Sequence, residues 1–178
     1  MSKIGKVVPV EPDHVDEIIS AWRVEMPEIA GLPLELAKRT ALLVSAFDLT
    51  AAAALDKLHL TQAEYGVLAT LRRVGAPYRL KPTDLTQALL LSSGGTSNVI
   101  KRLVAAGYVS READAEDGRS NWVELTPLGV KTAEEAVRAT TAAHARLVSR
   151  MPDATARALS EHLRVALAAV EEGVLIHR

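Results

Sequence analysis

Between Pro82 and Gly129 the spacing of apolar residues changes period twice, and this limits the possible folds more than any other feature of the chain. Thr83-Asp84 precede a short helical pattern with Leu85, Ala88 and Leu89 on its apolar side. Ser92-Ser93-Gly94-Gly95 interrupt it and start a second helix, with Val99, Ile100, Leu103 and Val104 as its apolar face. Gly107 ends that helix, and two β-rich runs follow, Tyr108–Glu112 and Asn121–Leu125. Helix, short turn, helix and hairpin is the layout of a winged helix-turn-helix, a unit that reads DNA.

The second helix of this unit carries the chemistry. Ser92 or Ser93 is a good N-cap, and Gly94-Gly95 allow a close backbone approach. A helix start with bare N–H groups attracts phosphate, although no Gly-Lys-Ser/Thr follows to make a nucleotide loop. A capped helix start and nothing more is the plainer reading. The expected exposed side holds Thr96, Ser97, Asn98, Lys101 and Arg102, small polar and basic groups suited to base edges and phosphates. Between the β-runs, Ala113–Ser120 is a charged loop ending in Asp117-Gly118-Arg119. An arginine at a hairpin tip can enter a narrow minor groove, with Asp114 or Asp117 steadying its base. A solvated charged turn is the alternative.

The rest of the chain reads as helices. Residues 1–12 form a loose leader punctuated by Pro9 and Pro12. Pro12-Asp13 then starts a helix bearing Val15, Ile18, Ile19 and Trp22 up to Pro27. A longer helix spans Pro33 to Leu58 with Leu36, Leu43, Phe47, Ala51, Ala54, Leu55 and Leu58, and its alanines serve either a plain core or a close dimer contact. Thr61 and Glu64 have capping-box spacing ahead of a helix from Gln62 to Val74. Tyr78–Leu80 is a short extended piece that could join the hairpin as a third strand. Two long helices close the chain, one from Pro127 to Arg150 and one from Ala154 to Glu172, the last with an amphipathic stripe of Leu159, Leu163, Ala166, Leu167 and Val170. We therefore expect a mainly α fold with a small β-hairpin wing. The boundaries are a leader at 1–12, N-terminal dimerisation helices at 13–60, a DNA-binding domain at 61–126 and C-terminal dimerisation helices at 127–178. A two-fold protein uses such helices to span two half-sites about one DNA turn apart.

Charge neither makes nor breaks this reading. The net charge is -1, yet eight basic residues against five acidic ones leave +3 between Arg72 and Arg119. Cysteine is absent, which removes disulfides and thiolate metal sites. No apolar run is long enough for a membrane span and no signal-peptide pattern opens the chain, so a cytoplasmic protein is expected. HExxH, Gly-x-Ser-x-Gly, P-loop and GxGxxG motifs are all missing, and the five histidines lack ligand spacing. Neither an enzyme nor a metal or cofactor site is expected.

The run from Thr61 to Gly129 resembles the MarR family of bacterial transcription regulators. The wing pattern Asp114-x-x-Asp117-x-Arg119, followed by Val123-x-Leu125-Thr126-Pro127-x-Gly129, carries the resemblance. It implies that Thr96–Arg102 lie on a recognition helix in the major groove, with Ser92 and Ser93 at its start. It also implies that Arg119 enters the minor groove, held by Asp117. The first helix, with Trp22 and Pro27, and the later Arg72-Arg73-x-Gly75-Ala-Pro77-Tyr78 look like the PecS and urate-responsive branch. In that branch the tryptophan of an extra first helix sits beside a purine-like ligand. Two polar ligand partners of the branch are replaced here by Gly66 and Val99. A site built for a polar ligand loses much affinity without them, so a small aromatic or phenolic ligand near Trp22, Tyr65, Arg72 and Arg73 fits better than urate. Plain packing of the first helix is the simpler role for Trp22. The implied function is a homodimeric repressor on a pseudo-palindromic operator, released by such a ligand. A helical protein–protein adaptor with the same fold is the alternative.

Overall fold

The computed structural model describes residues 11–89, 92–113 and 121–174. Most of the expected leader, and Asp114, Asp117 and Arg119 of the expected wing loop, lie outside these residues. The chain divides into two compact units, Met1–Phe47 and Asp48–Arg178.

The first unit contains α1 (His14–Glu25) and the first part of α2 (Leu32–Leu55). Asp13 starts α1, in line with the Pro12-Asp13 signal. Its carboxylate accepts the Val15 and Asp16 N–H groups, and the Asp16 side chain accepts the Asp13 N–H in return. Arg39 of α2 bonds to Asp13, Asp16 and Glu35, with its closest contact 2.7 Å from Asp16. That guanidinium holds the Asp13 carboxyl at about 2, well below the usual range. Trp22 is only partly covered, and Leu36, read as a core position, is exposed.

The second unit is built around one apolar core. The C-terminal end of α2 contributes Leu55, α3 (Gln62–Arg73) contributes Val67, Leu68 and Leu71, and α4 (Pro82–Leu89) contributes Leu85. From α5 (Ser93–Ala105) come Val99, Ile100 and Leu103, and from α6 (Pro127–Val148) Ala133 and Ala136. These positions recur three and four residues apart, so each helix turns one stripe inward. Val104, expected on the α5 stripe, is instead 40% exposed. It lies one residue past Leu103, about 100° round the helix.

Three short strands complete the unit: β1 (Arg79–Leu80), β2 (Val109–Ala113) and β3 (Asn121–Leu125). The sheet is antiparallel in the order β1–β3–β2, with Leu80 opposite Val123 and Arg111 opposite the same residue on the other side. The Tyr78–Leu80 piece thus does supply a third strand. Gly107 ends α5 in the left-handed region (φ 74°), and Tyr108 N–H donates to Leu103 O, turning the chain into β2. Thr126 caps α6 through Gly129 N–H, and its own hydroxyl donates to Gly107 O at 2.7 Å. Wing and helix are therefore tied at one point. The last helix, α7 (Asp153–Val174), shows Leu163, Val165, Leu167 and Val170 to solvent in the single chain. Of the stripe seen in the sequence, Leu163, Leu167 and Val170 are exposed in the single chain, while Leu159 is half-buried.

Candidate nucleic-acid interface

The two helices α4 and α5 present one face. Ser92 caps α5, its hydroxyl accepting Gly95 N–H at 3.1 Å. A Cβ on Gly94 would meet nothing within 4 Å, so the first turn of α5 is open. Ser93, Ser97, Asn98, Lys101 and Arg102 are all exposed on α5. Thr96 is not. It was expected on the exposed side, yet it is 1% accessible, with its hydroxyl donating to Ser92 O at 3.1 Å. That bond satisfies the one polar group, and the methyl joins the Val99–Ile100–Leu103 stripe.

A cleft of about 310 Å³ separates the two helices, lined by Pro82, Thr83, Thr86, Gln87, Ser93, Thr96 and Ser97. Thr83 and Gln87 are exposed on α4, one turn apart, and the sequence reading missed them. Their spacing opposite Leu85 was the available signal. At the root of the wing, Arg79 lies 4.8 Å and Lys81 5.3 Å from the centre of the Trp122 ring. Aromatic faces attract cations in this way and hold them at a fixed height.

The candidate ligand residues have different fates. Tyr65 and Arg72 both face α6. The Tyr65 and Thr140 hydroxyls are 3.0 Å apart, and Arg72 donates twice to Glu134 Oε1, at 3.1 and 2.9 Å. Arg72 also lies 5.0 Å from the Tyr78 ring centre. The Glu134 carboxyl is lowered by its bonds to Arg72 and then Arg138. Arg73 is exposed, and Trp22 belongs to the other compact unit. Gly66 packs so tightly that a Cβ there would come within 2.9 Å of Leu89 Cδ2. The acidic residue of the urate-responsive pattern would have to displace that leucine. Replacing Tyr65 by phenylalanine should cost about 1 kcal/mol, because the buried Thr140 hydroxyl keeps its bond to Ala136 O. An unchanged urea midpoint would show that the hydroxyl pair contributes nothing.

Comparison with known proteins agrees with this geometry. The MarR family model matches residues 58–120. The HTH-type transcriptional regulator PecS of Dickeya dadantii is 30% identical over 116 residues, covering 65% of this chain and 70% of that protein. A cysteine-to-serine mutant of MarR from E. coli, solved in complex with operator DNA, superposes with a TM-score of 0.66 at 22% identity. That match covers 82% of this chain and 97% of the other. An S. aureus MepR–DNA complex superposes at 0.64, with 20% identity over 75% of this chain and 96% of that one.

Proposed function

The chain belongs to the MarR family, and from that premise we propose that it is a repressor that binds a pseudo-palindromic operator as a homodimer. It is a DNA-binding transcriptional regulator of the MarR type and not an enzyme. One observation carries the finer reading: the exposed row of Ser93, Ser97, Asn98 and Lys101 on α5, beside Thr83 and Gln87 of α4. Among the described residues no hydrogen bond or ion pair engages the side chains of Ser97, Asn98 or Lys101. Their donors and acceptors are available for base edges and phosphates. Arg119, on the expected wing, would add a minor-groove contact steadied by Asp117. The solved MarR and MepR structures are complexes with DNA, and the shared fold supports DNA binding by this chain.

The uncovered apolar surface supports dimerisation. Leu163, Val165, Leu167 and Val170 of α7 are exposed, as are Leu36, Leu42 and Leu49 of α2. Patches of that kind mark association surfaces. A dimer places two recognition helices on successive major-groove faces of the operator. A small aromatic or phenolic effector would then act by favouring a helix spacing that no longer fits both half-sites. Tyr65 and Arg72, at the contact of α3 with α6, and Arg73 beside them are the residues through which it would act.

Gel shift with DNA from upstream of its own gene, across a salt series, tests the reading. We expect one short inverted repeat to be bound in preference to random DNA, with log affinity falling linearly against log salt. No preference over random DNA would favour an adaptor that kept the fold. Release of the bound repeat by phenolic acids tests the effector separately, and no release by any of them would remove that part.

A further inference from the structure

Arg102 differs from its neighbours on α5. Its Nε–H donates to Glu64 Oε1 at 2.8 Å, joining the last turn of α5 to the first turn of α3. The other oxygen of Glu64 is already in use. Oε2 accepts the Thr61 N–H at 2.9 Å and the Thr61 hydroxyl at 2.7 Å, closing the capping box of α3. Burial alone would raise the Glu64 carboxyl, but the bonds from Thr61 and Arg102 outweigh it and the group is lowered. The Glu64 side chain is 12% exposed against 55% for Arg102.

These facts separate two roles that look alike in the sequence. A phosphate contact needs a cation that can leave its protein partner at little cost. Drawing Arg102 away would leave a largely covered carboxylate without its only cationic partner among the described residues, and such losses are expensive. Lys101, one residue earlier, has no such tie. We propose that Arg102 is a positioning residue and not a DNA contact: with Glu64 it fixes the angle of the recognition helix against α3. The proposal rests on the operator-binding reading above.

The helix start of α3 thereby governs the aim of α5. One carboxylate both starts α3 and anchors the end of α5, so the two helices shift as a pair. Small errors in that angle are repeated in both halves of a dimer, where Ser97, Asn98 and Lys101 must meet their half-sites together.

The test compares wild type, Arg102→Ala, Glu64→Gln and the double variant, each titrated with operator DNA over a salt series. The side-chain amide introduced by Glu64→Gln can still accept the Thr61 N–H through its oxygen, so this change breaks the tie while sparing the cap. Each single change should weaken binding about tenfold at fixed salt. The double variant should be no weaker than the poorer single, and all four salt slopes should be parallel. A slope reduced by about 0.9 for each lost phosphate contact in Arg102→Ala alone, with Glu64→Gln binding as wild type, would overturn the proposal. So would wild-type affinity in both singles. A wild-type protein with no operator preference would instead sink the regulator reading, and this one with it.

Discussion

Gly129→Ala is expected to cost about 3 kcal/mol or more of folding stability. A Cβ at this position would stand 1.9 Å from Tyr108 O and 2.9 Å from Tyr108 C. No rotamer change relieves a clash with backbone. Nor can that stretch of backbone move freely, because Tyr108 O accepts the Thr126 N–H at 3.0 Å and Gly107 O accepts the Thr126 hydroxyl. The first turn of α6 must retreat from the β2 start, opening the contact between wing and helix. A urea titration reads the loss directly. A change below about 0.5 kcal/mol, the ordinary scatter of neutral substitutions, would show that α6 can yield. Because the wing hangs from this point, we also expect Gly129→Ala to bind operator poorly even at temperatures where it is folded.

Ser97→Asp should have the opposite profile, a folded protein that does not bind. Ser97 is exposed in the early part of α5 and borders the α4–α5 cleft. It stands in the second turn of α5 and its side chain has no partner among the described residues, so an acidic group there should change stability by less than about 0.5 kcal/mol. Against DNA the same charge opposes the phosphates, and like-charge placement in an interface costs several kcal/mol. On the proposed reading, operator affinity falls on the order of a hundredfold or more, with the change repeated in each half-site. Unaltered operator binding in a normally folded Ser97→Asp protein would remove α5 from the interface.

The comparison of Thr96 with Ser97 shows how the sequence was legible and where it failed. Positions 96, 99, 100 and 103 stand at the spacing of one helix face, so the burial of Thr96 was written in the pattern. Its hydroxyl argues for the outside. Whether a threonine goes in depends on finding an acceptor, and here the acceptor is Ser92 O, supplied by the helix itself. Thr83 and Gln87 present the reverse case. Their spacing opposite Leu85 marks them as exposed, but only the packing of α5 beside α4 forms the cleft they line.

Local chemistry alone determined much of this protein. Capping residues at Asp13, Thr61, Ser92 and Thr126 and the stop at Gly107 are each satisfied within a few residues, and the apolar stripes of α3 and α5 are read from local spacing. They set the order of helices and strands, and with it the family. Only the tertiary structure decided which charged groups are already engaged. Arg102 and Lys101 are adjacent cations in the sequence, but the packing of α5 on α3 brings just one of them to Glu64. Arg72 likewise meets Glu134 only because α6 returns along α3. Ion pairs between residues far apart in the chain depend on the packing of whole helices, and no local pattern encodes them.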